Sequence, residues 1–454
     1  MVYQMLEKKS MAKYARIKNT GKPKVVIIGG GFAGLELAKS LKKADVQVIL
    51  IDKQNYHTFQ PLMYQVATAA IEADSIIHPF RKVFDKQENF FFRLAEVQHI
   101  DTAQKLVETS IGLIRYDYLV IATGATTNYF GDKLMEENAI AMKSVEDAIN
   151  LRNTILSNFE NALQLDDEEQ MNSLMDYVIV GGGPTGVELA GALSELRKHV
   201  FPKDYPELDF QSMDIHLIQS GGELLKGMSK EASVKSLQFL EEMGVKVWLN
   251  RRVKSYDGYT VTLDNGETLI TRTLIWAAGV TGNPIDGLKP ESILKGNRVQ
   301  VDVYNRVVGY ENVFAIGDIA AMVTTENPQG HPMLAQPALQ QGTLLGKNLV
   351  RLFSGEPMQP FVYKDQGSMA TIGKNKAVAD LKLFNREIKS QGFFAWLIWM
   401  FIHLISLVSF RDRLVVMLNW GWNYFTYNSG NRLIVGHKQE NIPITETITH
   451  KTVI

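Results

Sequence analysis

The sequence predicts an α/β protein with two Rossmann-like dinucleotide-binding domains and a membrane-associating helical tail. Three observations predict it. A glycine-rich strand–turn–helix pattern occurs twice, 152 residues apart. Each copy is followed by a second apolar strand. From Arg386 onward the chain turns aromatic and aliphatic, with four of its six Trp residues between Trp396 and Trp422.

The bulk composition sets limits. A chain of 454 residues exceeds one simple core and implies about two or three domains. A formal net charge of -1 gives no footprint for nucleic acid. There is no cysteine. Disulfides, thiolate nucleophiles and iron–sulfur ligands are therefore excluded, and an organic cofactor must carry any electrons. Residues 1–22 read as a polar, disordered lead-in without a signal-peptide core.

The first motif is Gly29-Gly-Gly31-Phe-Ala-Gly34, between the apolar run Lys24–Ile28 and a helical pattern. Gly29 serves the tight turn. Gly31 admits a pyrophosphate to the backbone, and Gly34 lets helix pack on strand. The anion then meets free N–H groups at the helix N-terminus. A strand Val46–Asp52 follows, and Asp52 stands 18 residues after Gly34, where a carboxylate accepts ribose hydroxyls.

The second motif, Gly181-Gly-Gly183-Pro-Thr-Gly186, repeats the design after Tyr177–Val180. Its second strand, Asp214–Ile218, ends beside Gln219 rather than an acid. A neutral amide still bonds a ribose hydroxyl and repels a 2′-phosphate less than a carboxylate does. No Arg follows in Ser220-Gly-Gly222 to bind such a phosphate. NADH is the expected donor, with NADPH left open. Glu188 carries two readings. Glu36 at the matching repeat position favours a plain helix carboxylate near the dipole; a partly buried acid there could relay protons.

Between the motifs, Ser144-Val-Glu-Asp147 predicts a capping box opening a helix to about Leu163. Leu165–Ser173 reads as a polar surface link. Tyr259–Leu269 alternates around Asp264-Asn-Gly266 and predicts a hairpin, with Leu106–Leu113 as its analogue.

Later motifs make a family visible. Leu119-Val-Ile-Ala-Thr-Gly124, Leu274-Ile-Trp-Ala-Ala-Gly279 and Val313-Phe-Ala-Ile-Gly-Asp318 resemble strand-ending elements of two-dinucleotide flavoproteins. Asn55–Ala67, Gly182–Glu188 and Ala335-Gln-Pro-Ala-Leu-Gln-Gln-Gly342 resemble type II NADH dehydrogenases, the single-subunit NADH:quinone oxidoreductases. The resemblance runs from about Lys24 to Ile434 and implies a glutathione-reductase-like architecture. It implies a non-covalent FAD site at Gly29, Gly31, Phe32, Ala33, Gly34, Asp52, Lys53, Thr123, Gly124, Gly317, Asp318 and Gln336. It implies an NADH site at Gly181, Gly183, Pro184, Thr185, Gly186, Glu188, Gln219 and Gly279. No metal site is expected.

Gln336 and Gln340 are four apart, so on a helix they share a face. Pro337 suits the first turn, whose dipole could stabilise charge on a reduced flavin. The two amides are expected to bond a membrane quinone. With Glu188 they form the expected catalytic set.

The apolar run Phe393–Phe410 spans 18 residues, short of the roughly 20 that a membrane-crossing helix needs. The resemblance implies an interfacial anchor, and the expected arrangement lies on the bilayer. The expected domains are an FAD domain at 23–142 and 283–385, an NADH domain at 143–282, and a membrane-associating region at 386–454. The expected location is peripheral, on the cytoplasmic face of the cell membrane, with a homodimer left open. Two alternatives stand: a soluble NADH-dependent reductase of a ferredoxin-like carrier, and an NADH-responsive flavoprotein without efficient turnover.

Overall fold

The computed structural model describes residues 13–383, 386–427 and 431–436. Two five-stranded parallel sheets dominate it. In the first, Lys24–Ile28 lies between Gln47–Asp52 and Tyr118–Ile121, with Phe90–Leu94 and Val313–Ala315 at the edges. In the second, Tyr177–Val180 lies between Ile215–Gln219 and Thr273–Trp276, with Lys246–Leu249 and Ile140–Ala141 outside. The strand orders match over four strands, so the sequence repeat is also a repeat of topology there; the fifth strand follows the other four in the first sheet and precedes them in the second. The central strands are covered on both faces, which explains their unbroken apolar runs.

Helix α1 (Phe32–Ser40) follows the first glycine turn. Helix α2 (Val145–Ala162) opens with the expected capping box. Ser144 Oγ accepts from Asp147 N at 3.1 Å, and Asp147 Oδ2 accepts from Ser144 N at 2.8 Å. Together these satisfy two otherwise orphaned N–H groups. Helix α3 (Pro184–His199) follows the second glycine turn. Both expected hairpins form, each as part of a three-stranded antiparallel sheet.

Three expectations need correction. The polar link is half helical: Asp167 caps a helix over Glu168–Met175, which buries Leu174 and Met175. Its acidic composition suits a first turn near a helix N-terminus as well as a loop. The lead-in is ordered from residue 13. Ala15 N donates to Leu113 O, and Gln47 Nε2 donates to Lys18 O at 2.6 Å. Residues 1–12 lie outside the described residues. Finally, Gly367–Gly373, Lys376–Leu383 and Arg386–Gln391 form one antiparallel sheet. That sheet crosses the expected boundary at residue 386 and leads directly into the tail.

Helix α4 (Ala335–Phe353) lies along α1. A Cβ on Gly342 would stand 2.5 Å from Ala33 O, and one on Gly346 2.4 Å from Ser40 Cβ. Contacts advance along both helices together, so α4 and α1 run parallel. The α4 N-terminus therefore projects beyond the glycine turn that opens α1.

The apolar run breaks into helix α5 (Phe393–Ser406) and helix α6 (Phe410–Thr426). Arg413 donates two hydrogen bonds to Leu407 O at the break, taking a carbonyl that a continuous helix would have satisfied. With 14 residues, α5 is about 21 Å long, less than a hydrocarbon core of about 30 Å. Among the described residues, no helix is long and apolar enough to cross a membrane. Polar bonds fasten α6 to the first domain: Trp420 Nε1 to Gln65 Oε1 at 2.7 Å, Asn423 Nδ2 to Ala70 O at 2.8 Å, and His78 to Asp412 at 3.1 Å.

The sheet of residues 367–391 sits on α3 through Gly191. A Cβ there would meet Ile372 O at 1.6 Å, so backbone touches backbone. Gly191→Ala is expected to cost about 3 kcal/mol, the upper end for overpacking. Denaturant unfolding should then show a lowered midpoint with the tail released first; an unchanged midpoint would refute this seating.

Candidate functional site

The two glycine turns are geometrically alike. Gly29 and Gly181 have φ of +101° and +118°, a region that glycine adopts without strain. Cβ atoms on Gly34 and Gly186 would each lie 1.9 Å from the carbonyl oxygen of the first glycine. Gly31 and Gly183 differ from these: an added Cβ meets nothing within 4 Å. Each turn thus has an open cradle over its helix N-terminus, where a side chain would displace a pyrophosphate. Phe32 packs edge-on against His57 and Phe59, and Ala33 is buried. Pro184 and Thr185 are exposed at the lip of α3.

Asp52 Oδ2 accepts from Gly30 N at 2.6 Å, and Oδ1 from Gln54 N at 2.8 Å. Burial raises its pKa, while these N–H groups and exposed Lys53 oppose the rise. Gln219 does the same work in the second turn. Its Oε1 accepts from Gly182 N at 3.0 Å, and its Nε2 donates to Glu223 O at 3.2 Å. Acid and amide are interchangeable in this backbone role, because both present an acceptor oxygen. They differ only in the charge offered to a ribose.

Gly124 and Gly279 open two crossover strands, Ala125–Thr127 and Val280–Gly282, which pair with each other and join the two sheets. Thr123 Oγ1 donates to Asn283 O at 2.6 Å. Gly317 packs against Ala33 and Ala338, and its N–H donates to Gln341 Oε1 at 2.7 Å. Asp318 lies 4.0 Å from Lys143 Nζ. Burial raises its pKa against the attraction of Lys143 and Arg298. The structure thus brings the first glycine turn, Asp52, Gly317-Asp318 and the α4 N-terminus to one edge of the first sheet. Sequence reading missed Gln341, although it lies within the quoted motif Ala335–Gly342, and Lys143 and Arg298, which no short motif marks.

Gln336 and Gln340 share a face, but that face is covered. Gln336 Nε2 donates to Gly367 O at 2.8 Å, and its Oε1 accepts from Gln366 N at 3.1 Å. Gln340 exchanges two bonds with the Lys364 backbone at 2.9 and 3.0 Å. The amides expected to face a quinone each commit the oxygen and one N–H to residues 364–367. The helical spacing was legible; the chain segment returning across the face was not.

Glu188 departs from its repeat partner. Glu36 is half-buried and accepts from Thr343 Oγ1. Glu188 is buried and faces a cavity of about 170 Å³. Tyr64, Gln65, Thr371, Trp396, Trp399 and Trp420 also line this cavity. Burial pushes the Glu188 carboxyl up to about 8. A long bond of 3.4 Å from Thr371 N offsets this only in part. So does the facing indole N–H of Trp399, which completes no full hydrogen bond. Glu188 is therefore neutral at pH 7. Gly367, bonded by Gln336, and Thr371, bonded to Glu188, belong to the same strand, so one strand ties the α4 N-terminus to the cavity. His403 stacks on Trp399 at 4.1 Å and bonds its carbonyl. Burial lowers the His403 pKa to about 4, and it serves as a neutral packing group.

Comparison with known proteins agrees with this geometry. Residues 23–342 match the family model of the pyridine nucleotide-disulphide oxidoreductases. Residues 366–426 match the NDH2 C-terminal domain, the sheet-and-helix unit described above. The type II NADH:quinone oxidoreductase Ndh of Mycobacterium tuberculosis is 35% identical over 426 residues, 90% of each chain. The chain belongs to the type II NADH:quinone oxidoreductases. A mitochondrial internal alternative NAD(P)H-ubiquinone oxidoreductase A1 of Arabidopsis thaliana is 30% identical, covering 92% of this chain and 87% of the relative. The solved NDH2 of Plasmodium falciparum in complex with NADH has the same fold. It superposes with a TM-score of 0.82 at 20% identity, over 91% of this chain and all of that one. Both glycine turns lie within the matched span 23–342, and the chain has no cysteine with which to form a redox disulfide.

Two outcomes are expected. Gly31→Ala should fold with an unchanged midpoint yet purify with much less flavin, read from absorbance per polypeptide; full flavin content would refute the cradle. For Glu188 the folded pKa lies above the unfolded value, so the native state binds the extra proton. Its contribution is present below about pH 4.5 and is lost as pH rises through about 8. Glu188→Gln should therefore lessen the loss of stability between pH 5 and 9, measured by thermal melts. Parallel pH curves for wild type and variant would contradict this assignment.

Proposed function

We infer that this chain oxidises NADH through FAD and delivers two electrons to a quinone at a membrane surface. The observation that carries the reading is the aromatic cavity that buries Glu188 between the second nucleotide helix and the tail. The inferred units are 23–142 and 283–365 for FAD, 143–282 for NADH, and 366–436 for the tail. FAD, when bound, accepts hydride and releases electrons to the quinone.

The chain's own residues position, shield and protonate. Gly31 and Gly183 leave room for two pyrophosphates, while Asp52 and Asp318 supply acceptors for the flavin nucleotide's hydroxyls. The α4 N-terminus offers a positive dipole end toward the ring. Gln336 holds the strand that carries Thr371, and Gln340 the segment leading into it, so together they set the wall of the quinone site. Glu188 holds a proton where reduction consumes one. The Trp and Tyr lining excludes water and accepts an apolar ring.

The tail supports a quinone delivered from lipid. Phe394, Leu397, Phe401 and Ile405 project from one face of α5, while Phe410, Leu414, Met417, Leu418 and Phe425 project from α6. Phe410 and Phe425 are 78% and 84% exposed, and such a patch marks a membrane or partner surface. We place the chain on the NADH-bearing, cytoplasmic face of its membrane.

Stopped-flow mixing with NADH should bleach the flavin, and a short-chain quinone should restore its colour. Lasting bleaching in the presence of quinone would defeat the reading. Replacing Phe401, Phe410 and Phe425 together by Ser should release the protein from liposomes in a flotation assay while NADH bleaching stays within twofold. Retained flotation would show that lipid contacts lie elsewhere.

A further inference from the structure

Outside the tail, an exposed aromatic ring stands beside the second nucleotide turn. Phe130 is 69% exposed. Its φ is +54°, a left-handed conformation that a bulky residue rarely adopts. The loop that carries it is firmly tied. Asn128 N donates to Gly279 O at 3.2 Å, and Trp276 Nε1 donates to Asn128 O at 2.9 Å. Asn128 Oδ1 accepts from Phe130 N at 2.8 Å. Asp132 Oδ1 accepts from Met135 N at 3.0 Å and caps the helix Lys133–Asn138. The backbone is fixed while the ring is left in solvent.

Contacts run from the turn to the ring. A Cβ on Gly181 would stand 2.5 Å from Ala277 O and 2.9 Å from Ala278 Cα. Gly279 comes next in the chain, and a Cβ there would meet the Phe130 ring at 3.2 Å. This edge adjoins the flavin unit. Gly279 leads into Val280–Gly282, which pairs with Ala125–Thr127 of the first unit, and Phe130 follows that strand by three residues. A dinucleotide with its pyrophosphate at Gly183 must send its nicotinamide toward the flavin for hydride to pass, and so toward this edge. Packing explains little of the ring. Trp276 is buried, with Tyr129 tilted against it at 5.9 Å, and Phe130 adds only an edge-on contact at 6.3 Å.

We propose that Phe130 stacks on the nicotinamide half of bound NADH and so positions it. This rests on the reading of residues 143–282 as the NADH unit. An aromatic face and a flat heterocycle attract one another and exclude water between them. Gly279 has no side chain to occupy the space next to the ring. The left-handed backbone at Phe130 is one that glycine would adopt freely, so a large ring held there at a conformational cost points to a use for the ring. Phe130 acts on binding and orientation; it carries no proton and no charge.

The test uses the FAD-loaded full chain and two ligands titrated by calorimetry: tetrahydro-NADH, which cannot donate hydride, and ADP-ribose, which lacks the nicotinamide. Wild type should bind tetrahydro-NADH about tenfold more tightly, the scale of one aromatic stack. Phe130→Ala should abolish that preference and leave ADP-ribose within about twofold, because only the stack is lost. Phe130→Tyr keeps the ring and should keep the preference. Phe130→Gly should lose the preference while the thermal midpoint holds, since relief of the left-handed strain offsets the greater freedom of glycine in the unfolded chain. Equal binding of the two ligands by wild type would overturn the proposal. So would equal weakening of both ligands in Phe130→Ala, the mark of a packing role alone. If wild type and variants show the expected preferences but NADH fails to bleach the wild-type flavin, the reading of the reaction falls and the role of the ring stands.

Discussion

The architecture depends on backbone approaching backbone where no Cβ fits. Gly34 and Gly186 let each nucleotide helix seat on its own turn. Gly342 and Gly346 let α4 lie along α1, and Gly191 lets the third sheet rest on α3. Each contact shortens an interaxial or helix–sheet distance that a methyl group would enlarge. The consequence is directional. The N-termini of α1 and α4 thereby point the same way at the first glycine turn, and the N-terminus of α3 opens at the second. Glycine costs about 1 kcal/mol in a helix interior, which the close packing it permits must offset.

A second constraint is electrostatic. Glu188 is kept neutral by burial that the tail completes, since Trp399 and Trp420 form part of the cavity wall. Trp420 is itself held by Gln65, which donates to the Tyr64 hydroxyl at 2.8 Å. The two tail helices and the Glu188 carboxyl are thus parts of one hydrogen-bonded, aromatic assembly. Apolar side chains on the outer face of α5 and α6 stay exposed, while inner-face Trp residues close the cavity. A single pair of helices therefore exposes an apolar face on one side and closes the Glu188 cavity with the other.

Local signals were read well. The glycine turns, the capping box at Ser144 and the hairpin at Asp264-Asn-Gly266 each depend on residues a few positions apart. Their conformational preferences act whatever surrounds them. Errors arose where a distant segment supplied the partner. Gln336 and Gln340 share a helical face as their spacing requires, yet residues 364–367 cross that face and take both amides. Glu36 and Glu188 occupy matching repeat positions, but α4 covers one and the tail unit buries the other. The apolar run from Phe393 looked continuous because hydrophobicity alone does not register the turn at Leu407, which Arg413 stabilises.

By itself the sequence determined the class of the fold, the two nucleotide motifs, the absence of thiol chemistry and the aromatic character of the tail. Those properties reside in composition and short-range spacing. Only the tertiary structure decided which polar groups remain available for chemistry. Burial, free hydrogen-bond capacity and pKa depend on what packs against a side chain from elsewhere in the chain. That is why burial raises the Glu188 carboxyl, and why Gln336 and Gln340 became ties to residues 364–367.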